Sequence, residues 1–354
     1  MASYAEQNRG RAATGTRVVA IGGGTGLSTL LKGLKQYTLM AHEVPPDRQF
    51  ISDLTAVVTV SDDGGSSGRL RRELGMLPPG DVRNCLVAVS QDENLISKLF
   101  QYRFSSSGDL EGHNFGNLFL AALTAMTGDF AVAVKQASEI LATRGHILPA
   151  TSANVQLEAI MDDGSHVLGE TRINASQRRI VELQVVPAHP EPLPQTLEAI
   201  ACADVITMGP GSLFTSLVPN LLVRGIPEAI ASSHGVRVFI CNLMTEANES
   251  LNMTASDHIK AIFNHSSGKK IFDYALVNTA PVSASMRERY AEEHAEQVQA
   301  DIEAIEQLGV KCIPGNFIME KHYARHATDR LCQELMALAK FARHPADLAS
   351  RALR

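Results

Sequence analysis

The sequence predicts an α/β protein with a doubly wound, mainly parallel sheet that carries a helical insertion and a β-hairpin insertion. Three observations predict it. Short apolar runs alternate with helical segments along most of the chain, as expected of parallel strands buried on both faces. Residues 81–142 break this rhythm by reading as almost wholly helical, and residues 153–186 by turning β-rich. Two of the strands run straight into glycine-rich loops, where open α/β sheets turn toward a ligand crevice.

Taken in order, a polar tail over 1–16 is expected to be disordered. Arg17 to Ile21 reads as a buried strand, followed by GGGTG and an amphipathic helix from Leu27 to Gln36. Leu54 to Val60 is a second strand. In the helical insertion, RNCLVAVS, ENLISKLFQYRF, NLFLAALTAM and FAVAVKQASEIL show no strand alternation. VQLEAIM and HVLGETR then flank Asp162-Asp163-Gly164-Ser165, a hairpin by composition and length. Strands at 205–208, 236–241, 274–278 and 310–313 follow, with a last helix from Arg330 to Phe341. One domain over 17–345 accommodates all of this, leaving a C-terminal tail at 346–354.

The chain has 354 residues, 45% hydrophobic and 20% charged, enough to bury a large core. Its net charge of -6 argues against a general nucleic-acid or membrane-surface binder. Any anionic ligand must therefore be met by local donors. The five cysteines are widely spaced, with no disulfide or zinc pattern, which suits a reducing cytoplasm. No secretion signal opens the sequence and no apolar run approaches a membrane span, so a cytoplasmic protein is expected.

The first candidate site is IGGGTGLS, with Gly22, Gly23, Gly24, Thr25 and Gly26. Glycine lets a ligand approach the backbone, and the following helix points its first amides at an anion. The dinucleotide fingerprint fails because Leu27 stands where its third glycine belongs, and the P-loop lysine is missing. This weakens an NAD-dependent oxidoreductase reading. The second site, GPGSLFTSLVPNLLVRG, repeats the logic with Gly209, Gly211 and Ser212, which is placed to cap a helix running to Val223. Pro219 predicts a kink or break in it. A third loop, LPPGDVRNCL, offers Asp81 as an N-cap, with Arg83 and Asn84 in the first turn. Each of these loops would also serve as a plain turn into a helix.

TVSDDGGSSGRL sets two carboxylates beside a loop of small residues. An acid after the second strand is placed to accept hydrogen bonds from ribose hydroxyls, so Asp62 or Asp63 fits that role. Together they could hold Mg²⁺, the one cofactor the residues suggest. Gly64, Gly65, Ser66 and Ser67 would supply phosphate donors, and Arg69 a cation. A solvated Asp-Gly turn is the plainer alternative. EGHNFGNLFLAAL places His113 before a helix, with Asn117 one turn on, and ICNLMTEANES adds Asn242 and Thr245 at a strand end. Such a histidine would have its pKa pushed down. No residue set declares a reaction, so no catalytic residue is assigned.

IGGGTGLS, TVSDDGGSSGRLR, PPGDVRNCLVAVS, GHNFGNL, LPAT, GPGSLFTSLVPNLLV and ICNLMTE, in this order, resemble the YvcK-type gluconeogenesis factors, a bacterial branch of the family shared with CofD, the 2-phospho-L-lactate transferase. The resemblance runs from about Arg17 to Phe341. It implies a Rossmann-like fold and a cytoplasmic factor for cell shape and growth on gluconeogenic carbon. It also implies binding of UDP-sugars such as UDP-N-acetylglucosamine, and so a link to cell-wall precursors. The transferase branch instead moves a phospholactyl group from a guanosine diphosphate carrier, with Mg²⁺, and its acid pair matches Asp62-Asp63. That branch lacks GGSSGRLR, which places this chain with the regulators. A UDP-sugar or another nucleotide diphosphate is thus the expected ligand, and the apolar helical region would suit a homodimer.

Overall fold

A computed structural model describes residues 15–343 except 39–48, 92–94, 106, 177 and 248. The tail expected at 346–354 and residues 1–14 of the one expected at 1–16 lie outside the described residues; Thr16, expected in that first tail, instead opens a strand. Seven strands form one parallel sheet: β1 (Thr16–Gly22), β2 (Ile51–Val58), β3 (His146–Pro149), and, after three strands of a separate sheet, β7 (Val205–Met208), β8 (Val236–Ile240), β9 (Tyr274–Asn278) and β10 (Lys311–Gly315). Their order is β10-β9-β8-β7-β1-β2-β3. The direction of winding therefore reverses between β1 and β7, the switch point at which open α/β sheets hold ligands. The fold is α/β and Rossmann-like.

The central strand shows why the apolar runs were diagnostic. In β1, Val18 and Ala20 belong to one core while Val19 and Ile21 belong to the other. All four are at most 2% exposed. Both faces are covered, so alternation disappears and a continuous apolar run remains. Leu27, Leu30, Leu31 and Leu34 of helix α1 (Gly24–Leu34) pack on the Val18 side.

Between β2 and β3 come α2 (Gly65–Leu74), α3 (Gly80–Val89), α4 (Leu95–Gln101), α5 (Phe115–Thr127) and α6 (Phe130–Ile140). They form a long crossover between adjacent parallel strands, since β3 pairs with β2. The antiparallel sheet has the order β5-β4-β6, with β4 (Gln156–Met161), β5 (His166–Leu168) and β6 (Ile180–Val186). The expected hairpin is present, but its second arm ends at Leu168, and the rest of HVLGETR enters helix α7 (Glu170–Ala175). A further hairpin pairs β11 (Ile318–Glu320) with β12 (Ala324–His326), and the last helix spans Thr328–Arg343.

Three local expectations are corrected. The run GGSSGRLR is not a loop, because Gly65 already begins α2 and places Ser66 and Ser67 in its first turn. Asp81 is not an N-cap, since α3 starts one residue before it. The helix expected after Ser212 is instead a π-helical turn, Leu213–Leu217, followed by a short helix, Val218–Leu221. Pro219 has no N–H to continue a preceding α-ladder, so the chain breaks register just before it.

Candidate functional site

The registers of the sheet bring the two glycine loops together. Ile21 lies opposite Met208, and Gly22 opposite Val58, so the loops after β1 and β7 leave the sheet at one height. They pack closely: a methyl group on Gly26 would collide with the Pro210 carbonyl. Gly24, at φ +61°, takes the left-handed turn that starts α1. Between the loops opens a cavity of about 530 Å³, a size common for small-molecule sites.

Of the residues read from the sequence, Gly23, Gly24, Thr25, Gly26, Asp62 and Asp81 line this cavity from the β1–β2 side. Gly211, Ser212, Asn242 and Thr245 line it from the β7–β8 side. The first loop meets it with bare backbone. Gly23 precedes α1 without any side-chain cap, and the first turn holds no acid. The first-turn amides have no intrahelical acceptor. That of Gly24 donates to Asp81, and Thr25 and Gly26 lie on the cavity wall.

The second loop is different, because its donors are already used. Buried Glu249 accepts from the amides of Phe214 (2.8 Å) and Thr215 (3.3 Å) and from Thr215 Oγ1 (2.6 Å). The Ser212 hydroxyl donates to Glu246 Oε1 (3.1 Å) instead of capping the turn. Asn242 clasps Gly211, accepting from its amide (3.1 Å) and donating to its carbonyl (2.8 Å). Thr245 is bonded to the Glu296 backbone, accepting at 2.9 Å and donating at 2.7 Å. Gly209 lies behind, against the Ile240 carbonyl.

The acid pair separates. Asp62 Oδ1 accepts from the Gly64 amide (2.8 Å), and Asp62 reaches the cavity. Asp63 turns away to accept from Thr171 N (2.8 Å) and Oγ1 (2.6 Å), capping α7. The two carboxylates thus do not fit a shared Mg²⁺. Among the described residues no group of three or more His, Cys, Asp or Glu could hold a metal ion.

The remaining predicted residues lie beside the cavity rather than in its lining. Ser66 Oγ pairs with His113 Nδ1 (3.1 Å) and accepts from the Asn114 amide (3.3 Å), tying α2 to α5. Arg69 donates to the Glu111 carbonyl. Burial and the Arg69 charge lower the His113 pKa, the direction expected of it though not for the helix-terminus reason. Arg83 bonds Asn84 Oδ1 (2.6 Å) and packs its stem on Gly116, while the Asn117 amide donates to Asn114 Oδ1 (3.2 Å). These contacts link α2 and α3 to α5.

Several lining residues carry no motif in the sequence. Glu170 and Asn174 arrive from α7, and Tyr290, Tyr323, Arg325 and His326 from the C-terminal third of the chain. There the Tyr290 and Tyr323 rings meet edge-on at 6.2 Å, with the Arg325 guanidinium 5.7 Å from the Tyr323 centroid. His326 Nε2 lies 3.0 Å from the Cys241 carbonyl, and burial pushes its pKa down to about 4. Burial raises the carboxyls instead: Asp81 to about 6, Glu249 to about 7 and Glu170 to about 9. Thr215, Ser216 and Glu246, which also line the cavity, fall in the runs that contain Ser212 and Asn242.

A sequence model described as 2-phospho-L-lactate transferase CofD matches residues 18–318. The gluconeogenesis factor of Halalkalibacterium halodurans is 45% identical, covering 90% of this chain and 95% of that protein. The gluconeogenesis factor of Bacillus subtilis is 44% identical, covering 92% and 98%. A crystal structure of a Bacillus halodurans protein superposes with a TM-score of 0.85 at 45% identity, covering 91% of this chain and 99% of that one. A chain with these loops at this switch point, matched over nearly its whole length, belongs to the CofD family, in the branch that resembles the gluconeogenesis factors.

Proposed function

We propose that the protein is a cytoplasmic regulatory factor that binds a nucleotide sugar, with UDP-N-acetylglucosamine as the first ligand to test. The carrying observation is the uncapped start of α1 on the wall of a cavity of about 530 Å³. An anion at such a start gains from both the amides and the helix dipole, so the diphosphate belongs there. The Tyr290, Tyr323 and Arg325 group offers rings and a cation in the same lining, which suits a base or sugar. The relatives' name, gluconeogenesis factor, supports a role in precursor supply and cell shape during gluconeogenic growth.

Calorimetric titration with UDP-N-acetylglucosamine, with GDP and NAD as comparators and with or without Mg²⁺, tests this. Metal-independent binding of the UDP-sugar without turnover supports it. The family's description as a transferase, together with two carboxylates beside the α1 amides, supports a second reading, phospholactyl-type transfer from a nucleotide diphosphate donor. Mg²⁺-dependent consumption of a GDP-linked donor, with the UDP-sugar ignored, would establish that reading instead.

A further inference from the structure

The β-rich insertion sends one helix, α7, to the cavity. Ile173 anchors it in the core, and the Asp63 carboxylate holds its start through the Thr171 amide and hydroxyl. Glu170 and Asn174, one turn apart and so on one face, line the cavity together with Gly23, Gly24 and Asp62. Among the described residues the Glu170 carboxyl has no hydrogen-bond partner. Four acids lie close enough for their charge to act on it: Asp62 and Asp63 from the loop after β2, Asp81 from α3 and Glu249 from the segment after β8. Arg71 of α2 balances Asp62 and Asp63 from behind, and Arg172 on α7 itself is exposed.

A half-buried carboxyl in that company, ionised and unpaired, would repel the ligand and carry a desolvation cost. In its acid form it becomes a donor. We propose that Glu170 is a ligand-reading residue, which the Asp63–Thr171 clasp presents to the α1 side of the cavity and which donates its carboxyl proton in a hydrogen bond to a phosphate oxygen. The inference rests on the diphosphate reading above. Burial and the surrounding acids hold the group near a pKa of about 9, so the donor is present throughout the neutral range. The insertion thereby acquires a ligand-binding role.

The test is calorimetry with UDP-N-acetylglucosamine from about pH 5 to pH 10 on the wild type, Glu170→Ala and Glu170→Gln, with thermal melts as a control for folding. Wild-type affinity should fall in two stages, first as Asp81 and Glu249 ionise, then again near pH 9 as Glu170 does. Glu170→Ala should bind about tenfold or more weakly at neutral pH, the scale of a hydrogen bond to a charged group. Glu170→Gln, a neutral donor, should recover most of that loss and remove the second stage alone. If Glu170→Ala does not fold, the glutamine variant still decides the matter through the upper stage. Three results overturn the assignment: an unchanged upper stage in Glu170→Gln, wild-type affinity in Glu170→Ala, or affinity that rises with pH and requires Mg²⁺. Failure of all proteins, wild type included, to bind at any pH would overturn the diphosphate reading itself, and this assignment with it.

Discussion

The loops after β1 and β7 are both glycine-rich, leave the sheet at the same height and face the same cavity, yet the first keeps more of its amides open to an anion than the second. The first begins a helix with no side-chain cap from its own N-cap residue and gives its Gly24 amide to the Asp81 carboxyl. The second begins a helical turn whose amides hold Glu249, a carboxylate supplied by the chain itself. A glycine loop at a sheet switch point thus specifies a tight turn and a row of donors. Whether those donors await a ligand depends on side chains that arrive from elsewhere.

The comparison can be broken most severely at Glu249. Glu249→Ala strips the acceptor from two buried amides and a hydroxyl, so stability should fall by about 2–4 kcal/mol, read by urea unfolding. An unchanged midpoint would mean that the second loop does not depend on its internal acceptor. Gly26→Ala attacks the other loop, because the added methyl meets the Pro210 carbonyl. Overpacking there should cost about 1–3 kcal/mol, and UDP-N-acetylglucosamine affinity should drop more than stability alone explains. Equal loss of affinity in a stability-matched core variant would sink the first loop as the anion site.

The acid pair supplies a smaller and sharper contrast. Asp63→Ala removes the cap of α7 and should destabilise by about 1 kcal/mol, with faster amide exchange confined to 169–175. Asp62→Ala should leave that exchange untouched and act on ligand binding. Identical exchange in the two variants would contradict the divergence of the pair.

The smallest effects lie in the pH profile. Asp81, Glu249 and Glu170 have raised folded-state values, about 6, about 7 and about 9. Their contribution is therefore complete below the ordinary carboxylate range and is lost as pH rises through those values. His326 is shifted the opposite way, to about 4, so its contribution is present above the ordinary histidine value and is lost as pH falls toward 4. Melting temperature should peak in mildly acid solution, and Glu249→Gln should flatten the alkaline side only. A profile with the same alkaline slope in that variant would reject the assignment.

Much of the fold was legible in the sequence, and for a local reason. Strands 205–208 and 274–278 lie where their apolar runs predict, because a strand buried on both faces is recorded in consecutive residues. β3 went unread, since HILP is four residues long and ends in proline, too short to show a period. The helix starts were misjudged wherever glycine or serine looked like loop, as at Gly65 and Gly24.

The site divides along the same line. By itself the sequence determined six of the seven strands of the sheet, its two glycine turns and the acids after β2, because each is encoded by neighbours along the chain. The tertiary structure alone decided that Glu249 fills the second loop, that Asp63 turns to α7 while Asp62 faces the cavity, and that Glu170, Tyr290 and Arg325 join the lining. Those contacts link residues from 34 to 108 positions apart, and no periodicity of helix or strand carries information over such a span. Only the packing of the sheet against its insertions sets them side by side.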